Sequence, residues 1–226
     1  MCYIETMTPD EELKLIEESI NKINEIYLKV SKQWDKDLSK LTFNQSTTQI
    51  KDMFSKGNKS LSISILYSIV SYANFLNTNV NLDLLKLAQE KIISHTRVKQ
   101  LNSILFKSLS YENKKVSGTN GSISINKCFN DLFGMRIITE NNFDFDTISN
   151  FIHKKFPELK CINSDKSDYR ATHIYFKVDN FHYQWELQIW YNGFAESNYK
   201  SHKKHKQKYT VWEKEFKSMI KGEIEL

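Results

Sequence analysis

Residues 170–191 decide the fold: Arg170-Ala171-Thr172-His173-Ile174-Tyr175-Phe176-Lys177-Val178, then Asp179-Asn180-Phe181-His182, then Tyr183-Gln184-Trp185-Glu186-Leu187-Gln188-Ile189-Trp190-Tyr191. Apolar and polar side chains alternate with a period of two in both long runs, so two strands are expected. The four residues between them suit a hairpin connection. In the first run Ile174, Phe176 and Val178 share a face, opposite His173, Tyr175 and Lys177. In the second, Trp185, Leu187 and Ile189 oppose Glu186, Gln188 and Trp190. A sheet with one solvated face gives this pattern at no functional cost. A polar site built on a sheet, with a Glu and a Gln set among aromatics, gives it as well.

Working outward, Met135–Thr139 reads as a further strand, followed by a helix over Phe145–Lys155. Residues 110–124 hold Gly118 and Gly121 among Asn, Ser and Thr and read as a mobile loop. Residues 95–109 read as a helix or an extended segment carrying spaced cations. Upstream, Thr8-Pro9-Asp10-Glu11 is a capping box with Pro in the first turn, and Leu13, Ile16, Ile20, Ile23 and Tyr27 follow at helical spacing. Residues 36–60 form a polar connection. A second helix is expected over Ile63–Leu76, and a third from Asn81 through Leu84, Leu85, Leu87 and Ala88 towards Ile92. From Ala195 onward the chain reads as helical and basic. Helices followed by a mixed region predict an α+β fold, a mixed β-sheet flanked by helices.

Composition bounds the function. The 226 residues suffice for a real core, and 14 Phe with 11 Tyr can fill it and still spare a ring for stacking. With 6 Gly and 2 Pro, collagen-like and Pro-rich disordered readings fail. A formal charge of +5 permits a nucleotide or RNA partner without demanding one. Cys2, Cys128 and Cys161 are scattered and show no ligand spacing, so neither a disulfide framework nor a zinc site is supported. No apolar h-region follows basic residues at the N-terminus, and the apolar stretch around Ile63–Val70 falls short of the roughly 20 residues a membrane helix needs. A cytoplasmic protein without a membrane partner is expected.

Four groups of residues carry chemistry. Arg97-Val98-Lys99 with Ser103 and Lys107 can hold nucleotide phosphates, although a helix with surface cations looks much the same. Asp131, ahead of Phe133-Gly134-Met135-Arg136, either caps a turn or ligates Mg²⁺, which takes one or two carboxylates plus substrate phosphates. Tyr169-Arg170, with His173, offers a ring that is either core or a stacking surface. Glu186-Leu187-Gln188 supplies a second carboxylate on the polar face.

In this order the five matches, Arg-x-Lys, Lys, Asp-x-x-Gly-x-Arg, Tyr-Arg-x-x-His and Glu-x-Gln, resemble the synthetase domain of RelA/SpoT enzymes and small alarmone synthetases. The likeness runs over residues 60–212 and is sharpest between 97 and 188. It implies a nucleotidyltransferase-like synthetase fold over 61–226 behind an N-terminal helical region, 1–60. It also implies an ATP-dependent pyrophosphokinase. By that resemblance Arg97 stacks on adenine, Lys99 and Lys107 hold ATP phosphates with Ser103 in support, and Arg136 lies on the ATP side. Asp131 and Glu186 hold Mg²⁺, and Glu186 takes the proton of the attacking hydroxyl. Tyr169 stacks on the acceptor base, with Arg170 beside it, while His173 and Gln188 orient acceptor phosphate or ribose. No arrangement suggesting a covalent nucleophile occurs.

The acceptor half departs from the family. Asp165-Lys166-Ser167-Asp168-Tyr169-Arg170 stands where Lys-x-Asn-Gly-Tyr-Arg is usual, and Trp190 replaces the Arg after Glu-x-Gln-Ile. This ending, with the basic run Lys200–Lys208, is similar to the toxic branch of the small synthetases. Those are toxin–antitoxin effectors that pyrophosphorylate the 3′-adenosine of tRNA. The resemblance therefore implies a tRNA acceptor end met by Lys203 and Lys204, and a neutralising antitoxin. A GDP/GTP acceptor for (p)ppGpp synthesis and a non-catalytic RNA-binding module are the alternatives. A solvated helix face explains the basic run equally well.

Overall fold

The computed structural model describes residues 7–38, 40–54, 63–80, 95–113, 115–116 and 119–204. The expected third helix from Asn81 and the basic residues beyond Lys204 lie outside them.

Helix α1, Pro9–Trp34, starts where the sequence places it. The Thr8 side chain accepts from Glu11 N while Glu11 accepts from Thr8 N at 2.8 Å, so orphan donors at both positions are satisfied. Ile16, Ile20, Ile23, Tyr27, Val30 and Trp34 form its buried stripe. Helix α2, Ile63–Asn79, packs beside it. Between them the polar connection is less open than its composition suggests, because a 3-10 turn at Ile50–Met53 buries both Ile50 and Met53.

Five strands make one sheet. Strand β1 is His95–Val98, and helix α3, Leu101–Glu112, follows it, so the segment read as helix or extended is both. The loop expected at 110–124 instead contains a short hairpin, β2 Lys115–Val116 with β3 Thr119–Asn120, then the one-turn helix α4, Ile125–Cys128. Strand β4 is Phe133–Thr139, helix α5 Phe145–Lys155 and β5 Lys160–Asn163. The hairpin strands are β6, Thr172–Phe176, and β7, Trp185–Tyr191. Their order across the sheet is β1-β4-β7-β6-β5, with β4 and β7 parallel and the other neighbours antiparallel. A helical segment, α6, covers residues 192–204. Gly193 stands in its first turn, where a Cβ would come within 2.5 Å of the Tyr191 ring.

One face of the sheet is core. Trp185 and Phe176 meet Tyr27, Phe133 packs on Trp185, and the Trp185 indole donates to the Tyr72 hydroxyl at 2.8 Å. Tyr27 donates to the Tyr183 carbonyl and accepts from Val178 N, both at 3.2 Å, so these buried hydroxyls are partnered. Glu12 is buried at the start of α1, where its carboxylate accepts from Glu140 N, Asn141 N and Asn141 Nδ2 at 2.7–2.9 Å. That fastens α1 to the turn after β4. No helix among the described residues is long and apolar enough to cross a membrane.

Candidate active site

Strand register gathers the site. One row across the sheet runs Arg97, Gly134, Glu186, Tyr175, and the next runs His95, Arg136, Gln188, His173. All eight therefore share the face opposite the core. That face is not solvated, as the simpler reading of the alternation would have it: Arg136, Glu186 and Gln188 are buried.

At its β1 end stands Asp131, in the turn before β4. Its Oδ1 is 2.9 Å from Lys107 Nζ, its Oδ2 meets Lys99 Nζ, and Arg97 Nη2 is 4.0 Å away. Lys99 is delivered by the residue after β1 and Lys107 by the second turn of α3, so three cations converge on one carboxylate. Burial pushes the Asp131 carboxyl up, but Lys107 and Lys99 outweigh it and hold the group well below the usual carboxylate range. Lys99 is pulled down, first by burial and then by the Lys107 and Arg97 charges. Lys107 is also disfavoured by burial, yet Asp131 prevails and pushes its ammonium above the ordinary range. Burial drives the nearby Cys128 thiol up to about 12, so it carries no thiolate there at neutral pH. Ser103 lies in the first turn of α3, partly exposed.

Across β7 is the second carboxylate. Glu186 Oε1 lies 3.0 Å from His173 Nδ1 and accepts from the Tyr175 hydroxyl at 3.0 Å, while Oε2 accepts from Gln188 Nε2 at 2.7 Å. Gln188 Oε1 accepts from Arg136 Nη2 at 3.0 Å, so Gln188 chains Arg136 of the second row to Glu186 of the first. Burial would raise Glu186, and Asp131 adds to that, but the His173 bond and charge prevail, so the carboxyl is held below its usual value. An ionised carboxylate only accepts, so His173 Nδ1 carries a hydrogen towards it. On its other side His173 Nε2 is 2.9 Å from the Tyr169 hydroxyl, which also receives the Trp190 indole hydrogen at 3.2 Å.

The Tyr169 ring is presented by a tight turn closed by paired Lys166–Tyr169 bonds of 2.8 and 2.9 Å, with Ser167 at φ 49°. It meets the rings of His173, Trp190 and His202 edge-on, at 87°, 88° and 79°. The Arg136 guanidinium lies 3.4 Å from the Trp190 ring centroid, and His202 from α6 stacks on the same indole at 5.4 Å and 27°. Helix α6 is pinned there by buried Asn198, which accepts from Arg170 N and donates to Arg170 O, both at 2.8 Å. The sequence reading missed His202 and Asn198, since a single His or Asn on a basic helix gives no local signal.

Three expected residues stand apart. The Arg170 guanidinium is turned back onto the Ser167 and Tyr169 carbonyls at 2.7 and 3.0 Å, so the structure does not bring it to the polar face. Lys203 and Lys204 are exposed and line a surface groove with Lys200, Ser167 and Asp168, outside the Asp131–Glu186 centre. Among the described residues no group of three or more His, Cys, Asp or Glu side chains could hold a metal ion.

No protein-family model matches the chain, and no curated protein matches it. Among solved structures, small alarmone synthetase 2 from Bacillus subtilis is similar over 63% of this chain and 79% of its own, at 19% identity and a TM-score of 0.35. Small alarmone synthetase 1 from Bacillus subtilis is similar over 65% and 78%, at 18% identity and a TM-score of 0.36. A likeness of that size leaves any functional reading to rest on the side chains themselves.

Proposed function

We propose that this chain is an ATP-dependent pyrophosphokinase that moves the β,γ-pyrophosphate of ATP onto the 3′-hydroxyl at the CCA end of tRNA. In this reading it is a toxin that stops translation until an antitoxin protein neutralises it. The observation that carries the transfer chemistry is the convergence of Lys99, Lys107 and Arg97 on Asp131, one strand from Glu186. Simple binding of an anion requires cations; it does not require two carboxylates kept ionised beside them.

The bond from the acceptor O3′ to the β-phosphorus forms while the bond from that phosphorus to the α-bridging oxygen breaks, and AMP leaves with the electron pair. Charge grows on phosphate oxygens, so positioning and fixed cations supply most of the stabilisation. Lys99 and Lys107 hold the phosphates with Ser103 beside them, exchanging Asp131 for ligand oxygens, and Arg97 covers the adenine. Arg136 belongs to the ATP side in this reading, and its contact with Gln188 ties that side to the acceptor side. Glu186 takes the hydroxyl proton, and His173, bonded on both nitrogens, fixes the carboxylate's orientation. Tyr169 and Gln188 line the acceptor side.

Asp131 and Glu186 fit Mg²⁺, because both are ionised hard-oxygen donors and phosphates would complete the ligand set. These two residues would hold the ion, which when bound supplies charge neutralisation at the phosphate oxygens. The exposed Lys200, Lys203 and Lys204 support an RNA acceptor, since they form a cationic rim beside the Tyr169 turn.

Incubation with γ-labelled ATP, tRNA and GDP tests the reading. Label in tRNA is expected. Label in guanosine tetraphosphate would replace the tRNA reading with a (p)ppGpp synthetase, and no transfer would leave an RNA-binding module. Charge reversal at Lys203 and Lys204 is expected to weaken tRNA labelling in a salt-dependent way, most at low salt, where the lost phosphate contacts count for most; unchanged labelling would move the RNA surface elsewhere.

A further inference from the structure

Trp190 is fully buried on the polar face, with a guanidinium against its ring and an imidazole stacked on it. Tyr169 closes one side edge-on. Aromatic rings with an adjacent cation are what a nucleobase stacks on. His202 is a poor permanent occupant of this cage. Its Nε2 is buried without a hydrogen-bond partner among the described residues, which costs free energy for as long as the ring stays. It also arrives from α6, the element that carries the lysine rim. A base with ring nitrogens and exocyclic groups offers the same planar surface.

We infer that Trp190, walled by Tyr169 and Arg136, is the stacking platform for the nucleobase of the acceptor, and that His202 is a stand-in which the base displaces. This rests on the acceptor being a nucleoside, as proposed above; it gives Tyr169 the wall of the cage instead of the platform and moves the Arg136 guanidinium, which lies on the Trp190 ring, from the ATP side to the acceptor side. Binding the acceptor therefore requires the end of α6 to yield. The shared chemistry is a nucleobase on a ribose, whether it belongs to an RNA end or to a free guanine nucleotide.

Calorimetric titration of the full chain, saturated with a non-hydrolysable ATP analogue, tests this without turnover. The probes are the dinucleotide cytidylyl-adenosine, GDP, and ribose 5-phosphate as a control without a base. His202→Ala is expected to bind the preferred base-bearing probe about tenfold more tightly, and Trp190→Leu at least about tenfold more weakly, with Trp190→Phe between wild type and Leu. Ribose 5-phosphate should bind all four proteins alike. Preference for the dinucleotide assigns the cage to an RNA end, and preference for GDP assigns it to a free nucleotide. Unchanged or weaker binding in His202→Ala overturns the inference, and that variant decides the matter should Trp190→Leu fail to fold. Tighter binding in His202→Ala with no labelled product in the transfer assay would remove the transfer reading and leave the cage. Labelled product without tightening would do the reverse.

Discussion

Tyr175 lies directly opposite Glu186 across the β6–β7 ladder, and its hydroxyl donates to the Glu186 carboxylate at 3.0 Å. Together with His173 and Gln188 it surrounds Glu186 with donors, so a buried carboxylate stays ionised where burial alone would neutralise it.

Removing those donors should therefore move the pH dependence of the reaction. His173→Ala and Tyr175→Phe are expected to raise the Glu186 carboxyl, so that the acid limb of kcat shifts to higher pH. His173→Ala should show the larger shift, because His173 is the strongest of the lowering influences. A pH–rate profile checks this, and a limb that stays fixed would detach Glu186 from proton transfer.

Lys99 is a structural counter-charge as well as a phosphate ligand in this account. Lys99→Met is expected to destabilise the fold by roughly 2 kcal/mol or more, because Asp131 loses one of its partners while still largely shielded from solvent. Urea unfolding measures it. Asp131→Asn in the Lys99→Met background should recover part of the loss.

Stability should fall in acid through Asp131. Its folded value is depressed below its unfolded value of about 3.9, so the ionised form contributes fully above that pH. The contribution is lost as pH falls towards the folded value. Unfolding midpoints measured downward from about pH 5 should drop more steeply for wild type than for Asp131→Asn.

Glu12 separates fold from chemistry. Glu12→Ala strands three donors of the turn after β4 and is expected to cost about 2 kcal/mol, while kcat of the folded protein stays at the wild-type value. Thermal unfolding and a transfer assay at low temperature check the two halves.

The hairpin, the alternation along β6 and β7 and the helix Phe145–Lys155 were legible because each is a local pattern written in consecutive side chains. Strand β1 was ambiguous because four extended residues run almost directly into a helix, which mixes two periods in one window. Strand β5 escaped notice since only Cys161 and Ile162 mark it. Whether the polar face met solvent could not be read from alternation. That depended on α6 laying His202 on Trp190, a contact between distant segments. The same holds for Glu12 and Asn198, whose partners are backbone groups far along the chain. Chemistry-bearing residues were found by type and order, but Arg170 shows the limit: its strand was expected, and the turn that folds its guanidinium away was not.

The most direct test of the central claim measures label transfer from γ-labelled ATP by Asp131→Asn, Glu186→Gln and the double variant. If the two carboxylates serve one phosphate-handling centre, each single change should lower kcat by at least about a hundredfold, and the double should lose little more than the worse single. Transfer near the wild-type rate in either single variant would contradict the account.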